Sequence, residues 1–174
     1  MRCDLPMNGK YTPKRNSKAR GFTILELVVT VALLAIVLLI AIPNFHRITV
    51  NSNLKTAARD LVADFNALRE RALAENREYR LSFNGNQYTL EACTDATTPC
   101  AAWGPPPAGV ATPKSPASIA SDITLTSHFG GPVIFLTRGT VNQAGNVVLT
   151  NGRVSTATIT CNISGRTSVS FTWN

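Results

Sequence analysis

The sequence predicts an α+β protein: a long N-terminal helix, apolar all round in its first half and one-sided in its second, packed on a small antiparallel β-sandwich. Three observations predict it. From Leu27 to Ile42 the only polar residue is Thr30. A helical apolar stripe follows that run. Beyond the stripe the chain breaks into short β-patterned segments separated by Gly and Asn turns.

The 174 residues leave room for one ordinary domain plus an appendage. Residues 1–20 lack apolar periodicity, are rich in Lys, Arg, Asn and Pro, and read as a basic leader. No small-residue cleavage site follows the apolar run, so this is not an ordinary secretory signal, and the processing point is expected before the run. Counted from Phe22 to Ile42, the run is roughly 31 Å of helix at about 1.5 Å per residue, matching a bilayer core of about 30 Å.

The formal charge of +7 is unevenly spread. Arg2, Lys10, Lys14, Arg15, Lys18 and Arg20 precede the run against Asp4 alone, so the leader carries +5. From Phe22 onward, 11 basic and 9 acidic residues leave +2. A nucleic-acid binder concentrates its basic excess on the folded domain. Here the excess flanks one end of an apolar helix, the signature of a cytoplasmic flank, and the C-terminal part is expected outside the cytoplasm.

Pro43 interrupts the helix and is expected to kink it rather than end it. Leu54, Ala58, Leu61, Phe65, Leu68 and Ala72 then recur in steps of four and three, with Arg59, Asp60, Asp64, Arg69, Glu70 and Arg71 largely off that stripe. The expected division is a leader over 1–21, a membrane-spanning helix over 22–43, and an exported domain over 44–174. That domain comprises a helix over 44–76 and a β-rich part over 78–174.

Tyr79–Phe83 and Gln87–Ala92 flank Asn84-Gly85, a type I′ hairpin signal. Residues 93–118 read as a Pro/Ala/Gly/Thr loop. Later strands are expected at Ile123–Thr126, Val133–Leu136, Val147–Leu149, Val154–Cys161 and Ser168–Trp173, with turns at Asn151-Gly152 and Ser164-Gly165.

Cys93, Cys100 and Cys161 lie in the exported part, where a disulfide can persist. Cys93–Cys100 is the favoured pair, closing a short loop through Pro99. Cys161 with either partner, or three buried thiols, remain open. His46 and His128 form no metal-ligand spacing with them, so no metal and no cofactor is expected. No nucleophile, phosphate-loop or zinc-protease motif supports an enzyme. Trp173 reads as a core or edge anchor. Trp103 reads as a plug over the sheets or a contact for a neighbouring chain.

Arg20-Gly21-Phe22-Thr23-Ile24-Leu25-Glu26, followed by the apolar run and Pro43, resembles the N-terminus of type IV pilins and type II secretion pseudopilins. The resemblance implies that a prepilin peptidase cuts between Gly21 and Phe22 and that Phe22 is N-methylated. Glu26 is the informative residue, because a carboxylate inside a bilayer costs on the order of 2.5–3.5 kcal/mol near the centre and less near the edge. Cleavage creates its natural partner, the Phe22 amine, in the same chain or in a neighbouring subunit. An N-terminal carboxylate favoured by the helix dipole is the plainer explanation.

Leu54–Asn76, Phe135-Leu136-Thr137-Arg138-Gly139 and Ile163-Ser164-Gly165-Arg166 resemble the GspH/FimT group of minor pilins and pseudopilins. The implied role is a minor type IV pilin that helps initiate or cap a pilus. A minor pseudopilin of a type II secretion system is the alternative. The implied partners are other pilins or pseudopilins in a filament, the peptidase and the inner membrane, with the C-terminal domain in the periplasm. Some members of the group bind DNA through a Gly-Arg-x-Arg motif. Here Gly165-Arg166-Thr167-Ser168 lacks the second arginine. Convergence of Arg138, Arg153 and Arg166 would give only weak, salt-sensitive DNA contacts, so DNA is the least favoured partner.

Overall fold

A computed structural model describes residues 21–95, 99–105 and 112–174, without the side chains of residues 40–44. The leader and the middle of the Pro-rich loop lie outside the described residues. The chain divides into two compact units, Met1–Ala41 and Ile42–Asn174. Helix α1, Ile24–Glu75, contributes to both and does not end at Pro43. It stops where Asn76 adopts a left-handed conformation, with φ 49°, as residues just past a helix commonly do.

In the first unit every large apolar side chain from Phe22 to Leu39 is exposed, from 49 % at Val29 to 85 % at Ile24. A helix apolar all round has no polar face to offer water, so it needs lipid or other helices around it. Among the described residues no helix is long and apolar enough to cross a membrane. The described side chains of the run stop at Leu39, short of the roughly 20 residues a span needs.

In the second unit the stripe predicted from spacing is the buried face of α1. Leu54, Ala58, Leu61, Phe65, Leu68 and Ala72 are all at or below 2 % exposed. The β part forms two four-stranded antiparallel sheets. One holds β1 (Tyr79–Asn84), β2 (Gln87–Cys93), β3 (Trp103–Gly104) and β5 (Val133–Phe135), in the order β3-β2-β1-β5. The other holds β4 (Thr124–Ser127), β6 (Gly145–Thr150), β7 (Thr156–Cys161) and β8 (Thr167–Thr172), in the order β4-β6-β7-β8.

Both sheets and the helix stripe share one hydrophobic core. Phe65 sits at its aromatic centre, edge-on to Phe135 at 5.9 Å and stacked near Phe129 at 6.3 Å. Such ring pairs add to what area burial alone contributes.

The first hairpin differs from the expected turn. Asn84 pairs with Gln87, so the two-residue loop is Gly85-Asn86, one residue later than predicted. Only Gly85, at φ 56°, is left-handed, whereas a type I′ turn needs both central residues there. Asn86 is occupied otherwise. Its Nδ2 donates to Ile123 O at 3.1 Å and its Oδ1 accepts the Leu125 N–H at 2.7 Å, tying this hairpin to the other sheet. The described residues of the loop over 93–118 include β3 and a 3-10 turn at Pro116–Ser118, which composition did not suggest.

Candidate functional site

At the N-terminus, Gly21 and Phe22 precede the helix, and a Cβ placed on Gly21 would meet nothing within 4 Å. The fold itself therefore does not require glycine there. Thr23 caps α1. Its Oγ1 accepts the Glu26 N–H at 3.2 Å, and its carbonyl accepts the Leu27 N–H at 3.1 Å. Thr23-Ile24-Leu25-Glu26 thus has the Thr-x-x-Glu form of a capping box, of which the Thr23 half is formed. No ion pair of the Glu26 carboxylate occurs among the described residues. Pro43 lies inside α1, and its side chain is not among those described.

The β half repeats one turn three times. Asn162 N–H donates to Arg166 O at 3.1 Å and Gly165 N–H to Asn162 O at 2.9 Å. The same pair of bonds closes Leu136–Thr140, with Gly139 in the role of Gly165, and Asn151–Ser155, with Val154 in that role. This is the three-residue hairpin loop whose last loop residue is left-handed. The φ values are 76° at Gly139, 61° at Val154 and 72° at Gly165.

Two of these turns meet against α1. Arg69 Nε donates to Gly139 O at 3.0 Å across 70 residues of sequence. A Cβ on Gly165 would run into Gly139 O and the Arg69 side chain, and one on Gly139 would press on Leu73 at 3.0 Å. The Val141 N–H also bonds Ile163 O at 3.0 Å, so the two turns are stitched directly. The Thr137-Arg138-Gly139 and Ser164-Gly165-Arg166 segments are therefore one spatial element.

That geometry bears on the possible convergence of Arg138, Arg153 and Arg166. Arg138 and Arg166 sit in the two joined turns, but Arg153 lies in the turn that precedes β7, whereas Arg166 lies in the one that follows it. Six strand residues at about 3.3 Å each separate those ends by about 20 Å. The three arginines do not converge. Sequence order could not show this, because it does not say which end of a strand each turn occupies.

Val154 stands where the other two turns have glycine. A β-branched residue in the left-handed region is strained by about 1–2 kcal/mol. Val154→Gly is expected to stabilise the domain by about 1 kcal/mol after the added chain entropy of glycine is subtracted. Urea unfolding followed by tryptophan fluorescence measures this, and no gain or a loss would refute it. The turn that holds Val154 also accounts for β7 starting at Thr156 rather than at Val154.

Cys93 and Cys100 form a disulfide, with Cα atoms 5.8 Å apart, and Cys161 is a free, buried thiol. Burial pushes the Cys161 thiol up to about 11, so it stays protonated near neutrality. The cystine loop is held further by buried Glu78, whose carboxylate accepts the Cys100 N–H at 3.0 Å. The disulfide adjoins β3. Trp103 pairs with Cys93 and lies under the Arg80 guanidinium at 4.7 Å, half-buried rather than free in a loop. Trp173 stacks on Phe171 at 5.1 Å, with the Lys55 ammonium 5.1 Å from its ring.

An open cleft of about 510 Å³ lies beside α1, lined by Asp60, Asp64, Tyr88, Lys114 and neighbours. Three of its polar groups, on Asp64, Tyr88 and Lys114, satisfy one another. Asp64 accepts the Tyr88 hydroxyl at 2.7 Å and pairs with Lys114 at 2.6 Å. Burial, then the hydrogen bond to Asp64, pushes the Tyr88 hydroxyl far above its ordinary range. The arrangement straps residues 112–116 to the helix and presents no nucleophile with an attendant base.

A capped apolar helix that becomes one-sided, with two antiparallel sheets on its second half, defines a pilin-like subunit. The chain belongs to the GspH family, described as type II transport protein GspH, whose sequence model matches residues 57–165. The prokaryotic N-terminal methylation motif matches residues 16–42. Together these make it a minor pilin or pseudopilin, a structural subunit by class. No curated protein matches the chain.

Among solved structures, the minor pseudopilin EpsH from the type 2 secretion system of Vibrio cholerae is similar at 12 % identity and a TM-score of 0.56. That match covers 68 % of this chain and 96 % of EpsH. The type IV minor pilin FimU of Pseudomonas aeruginosa is similar at 13 % identity and a TM-score of 0.50, over 69 % of this chain and 90 % of FimU. At these identities the likeness establishes the fold.

Proposed function

We propose that this chain is made as a membrane precursor, cut between Gly21 and Phe22 by a prepilin peptidase, N-methylated at Phe22, and built into a filament as a minor pilin. Residues 22–43 anchor it in the inner membrane before assembly, and residues 44–174 stand in the periplasm. The observation that carries the reading is the segment from Phe22 to Leu39, whose large apolar side chains are all exposed. Lipid can cover them before assembly and neighbouring helices afterwards. The methylation motif over residues 16–42 supports the processing step.

Glu26 has two compatible roles in this scheme. As the third helical residue it puts a carboxylate where the helix dipole favours one, and near the membrane edge that carboxylate attracts the amine that cleavage creates. Mass spectrometry of the mature protein from its native membrane tests the scheme. The expected mass begins at a methylated Phe22, and an intact leader or any other start would refute it.

A second reading, a minor pseudopilin of a type II secretion system, is favoured by the family description itself. Deleting the gene separates the two. Loss of surface pili with secretion intact supports the first, and loss of protein secretion with pili intact supports the second.

A further inference from the structure

β8 is the outer strand of its sheet and pairs only with β7 among the described residues. The turn before it determines which backbone groups point outward. Because Asn162 and Arg166 are bonded across that turn, the hydrogen-bonded pairs along the ladder fall at Thr160–Ser168, Thr158–Ser170 and Thr156–Thr172. Thr167, Val169 and Phe171 therefore turn their N–H and C=O groups away from β7. Among the described residues none of those groups has a partner.

Natural edges are usually blunted by Lys, Pro, a bulge or a short strand. β8 has six residues, Thr-Ser-Val-Ser-Phe-Thr, with no charge and no proline. Its odd-numbered side chains share a face with buried Ala157, Ile159 and Cys161, so the apolar face of the sheet continues past β7 and ends open. Among the described residues of 79–174, the large apolar side chains that are exposed are Val154, Ile163, Val169 and Trp173. All four lie on β8, just after it, or in the turns beside it. Val154 adds an independent sign. It is 66 % exposed and strained, adjoining the end of β8 through bonds between Ser155 and Asn174. Strain retained on an exposed apolar side chain is a mark of a contact site.

We infer that the open edge of β8 docks an extended strand from a neighbouring, different subunit of the filament, an inference that rests on the filament reading above. The edge specifies its occupant. Outward N–H and C=O groups repeating every second residue are satisfied by another extended backbone. The occupant places apolar side chains beside Val169 and Phe171 and small polar ones beside Ser168 and Ser170. Arg166 stands at one end of the edge, and Arg153 and Lys55 stand at the other, with no ion pairs among the described residues. A strand with carboxylates at its ends complements them. A second copy of β8 brings no such side chain, because residues 166–174 contain no Asp or Glu.

The test uses the full chain in its native cells, scoring sheared filaments and, separately, leader removal. Val169→Pro deletes one outward N–H while sparing the bonds to β7. Val169→Lys keeps the backbone and charges the edge, and Val169→Thr is the conservative control. The first two are expected to fall about tenfold in filaments, with leader removal and membrane level unchanged and Val169→Thr as wild type. If Val169→Pro fails to accumulate, Val169→Lys decides.

A photo-crosslinking side chain in place of Val169 is expected to join an alternating strand of another filament subunit, identified by mass spectrometry of the joined peptide. Wild-type levels of Val169→Lys in filaments would overturn the inference, as would a crosslink to a second copy of this chain. Absence of the wild-type chain from filaments refutes the filament reading first, and this inference with it.

Discussion

Gly165→Ala lowers the stability of the globular half by about 3 kcal/mol. A left-handed alanine costs about 1–2 kcal/mol, and forcing a methyl into a packed contact costs about 1–3 more. The methyl points at Gly139 O and the Arg69 side chain, so relief displaces the very bond that joins the turn to α1. Gly139→Ala meets the flexible Leu73 side chain first and is expected to cost less. Urea unfolding of the full chain in detergent, read by tryptophan fluorescence, gives both values. A loss under 1 kcal/mol at Gly165, or the reverse ranking, would show that the turns are not stitched as described.

Glu26→Ala is expected to leave the leader cleaved and the chain in the membrane but to reduce it in filaments about a hundredfold. Removing one partner of a desolvated charge pair typically costs about 3–5 kcal/mol, which accommodates a loss of that size. Glu26→Gln separates the charge of this residue from its place in the capping pattern. Glutamine keeps the Thr-x-x-Glu/Gln sequence pattern of a capping box with Thr23 but carries no charge. If charge pairing with a Phe22 amine matters, glutamine behaves like alanine. Glutamine indistinguishable from wild type in filaments would leave the charge of Glu26 without a part in assembly.

The elements most legible in the sequence are those set by local periodicity. The stripe from Leu54 to Ala72 needed only its spacing, because one face of a helix is buried and the other is not. The strands were legible in position but not in their ends. β7 loses Val154 to a turn that places a valine where glycine is expected, and the first hairpin shifts by one because Asn86 bonds the opposite sheet.

β3 was illegible for a different reason. Two residues cannot show a period, and a disulfide plus a stacked arginine hold them in place. The same contrast applies to the candidate site. The Gly21-Phe22-Glu26 motif is contiguous and could be read directly, and Thr23 was there to be read as a cap. The pairing of Arg69 with Gly139, and the separation of Arg153 from Arg166, depend on contacts between distant parts of the chain.

The cysteine arrangement has a practical side. Beyond the leader, two sulfurs are bonded to each other, and the third, on Cys161, is fully buried and remains protonated near neutral pH. The folded domain therefore shows no reactive thiol to a maleimide, and a cysteine introduced anywhere on its surface becomes the sole point of labelling. Fluorophores or spin labels placed at Val169 or at the joined turns could then follow the subunit, once the leader and its Cys3 are removed, from membrane to filament without first stripping its other cysteines.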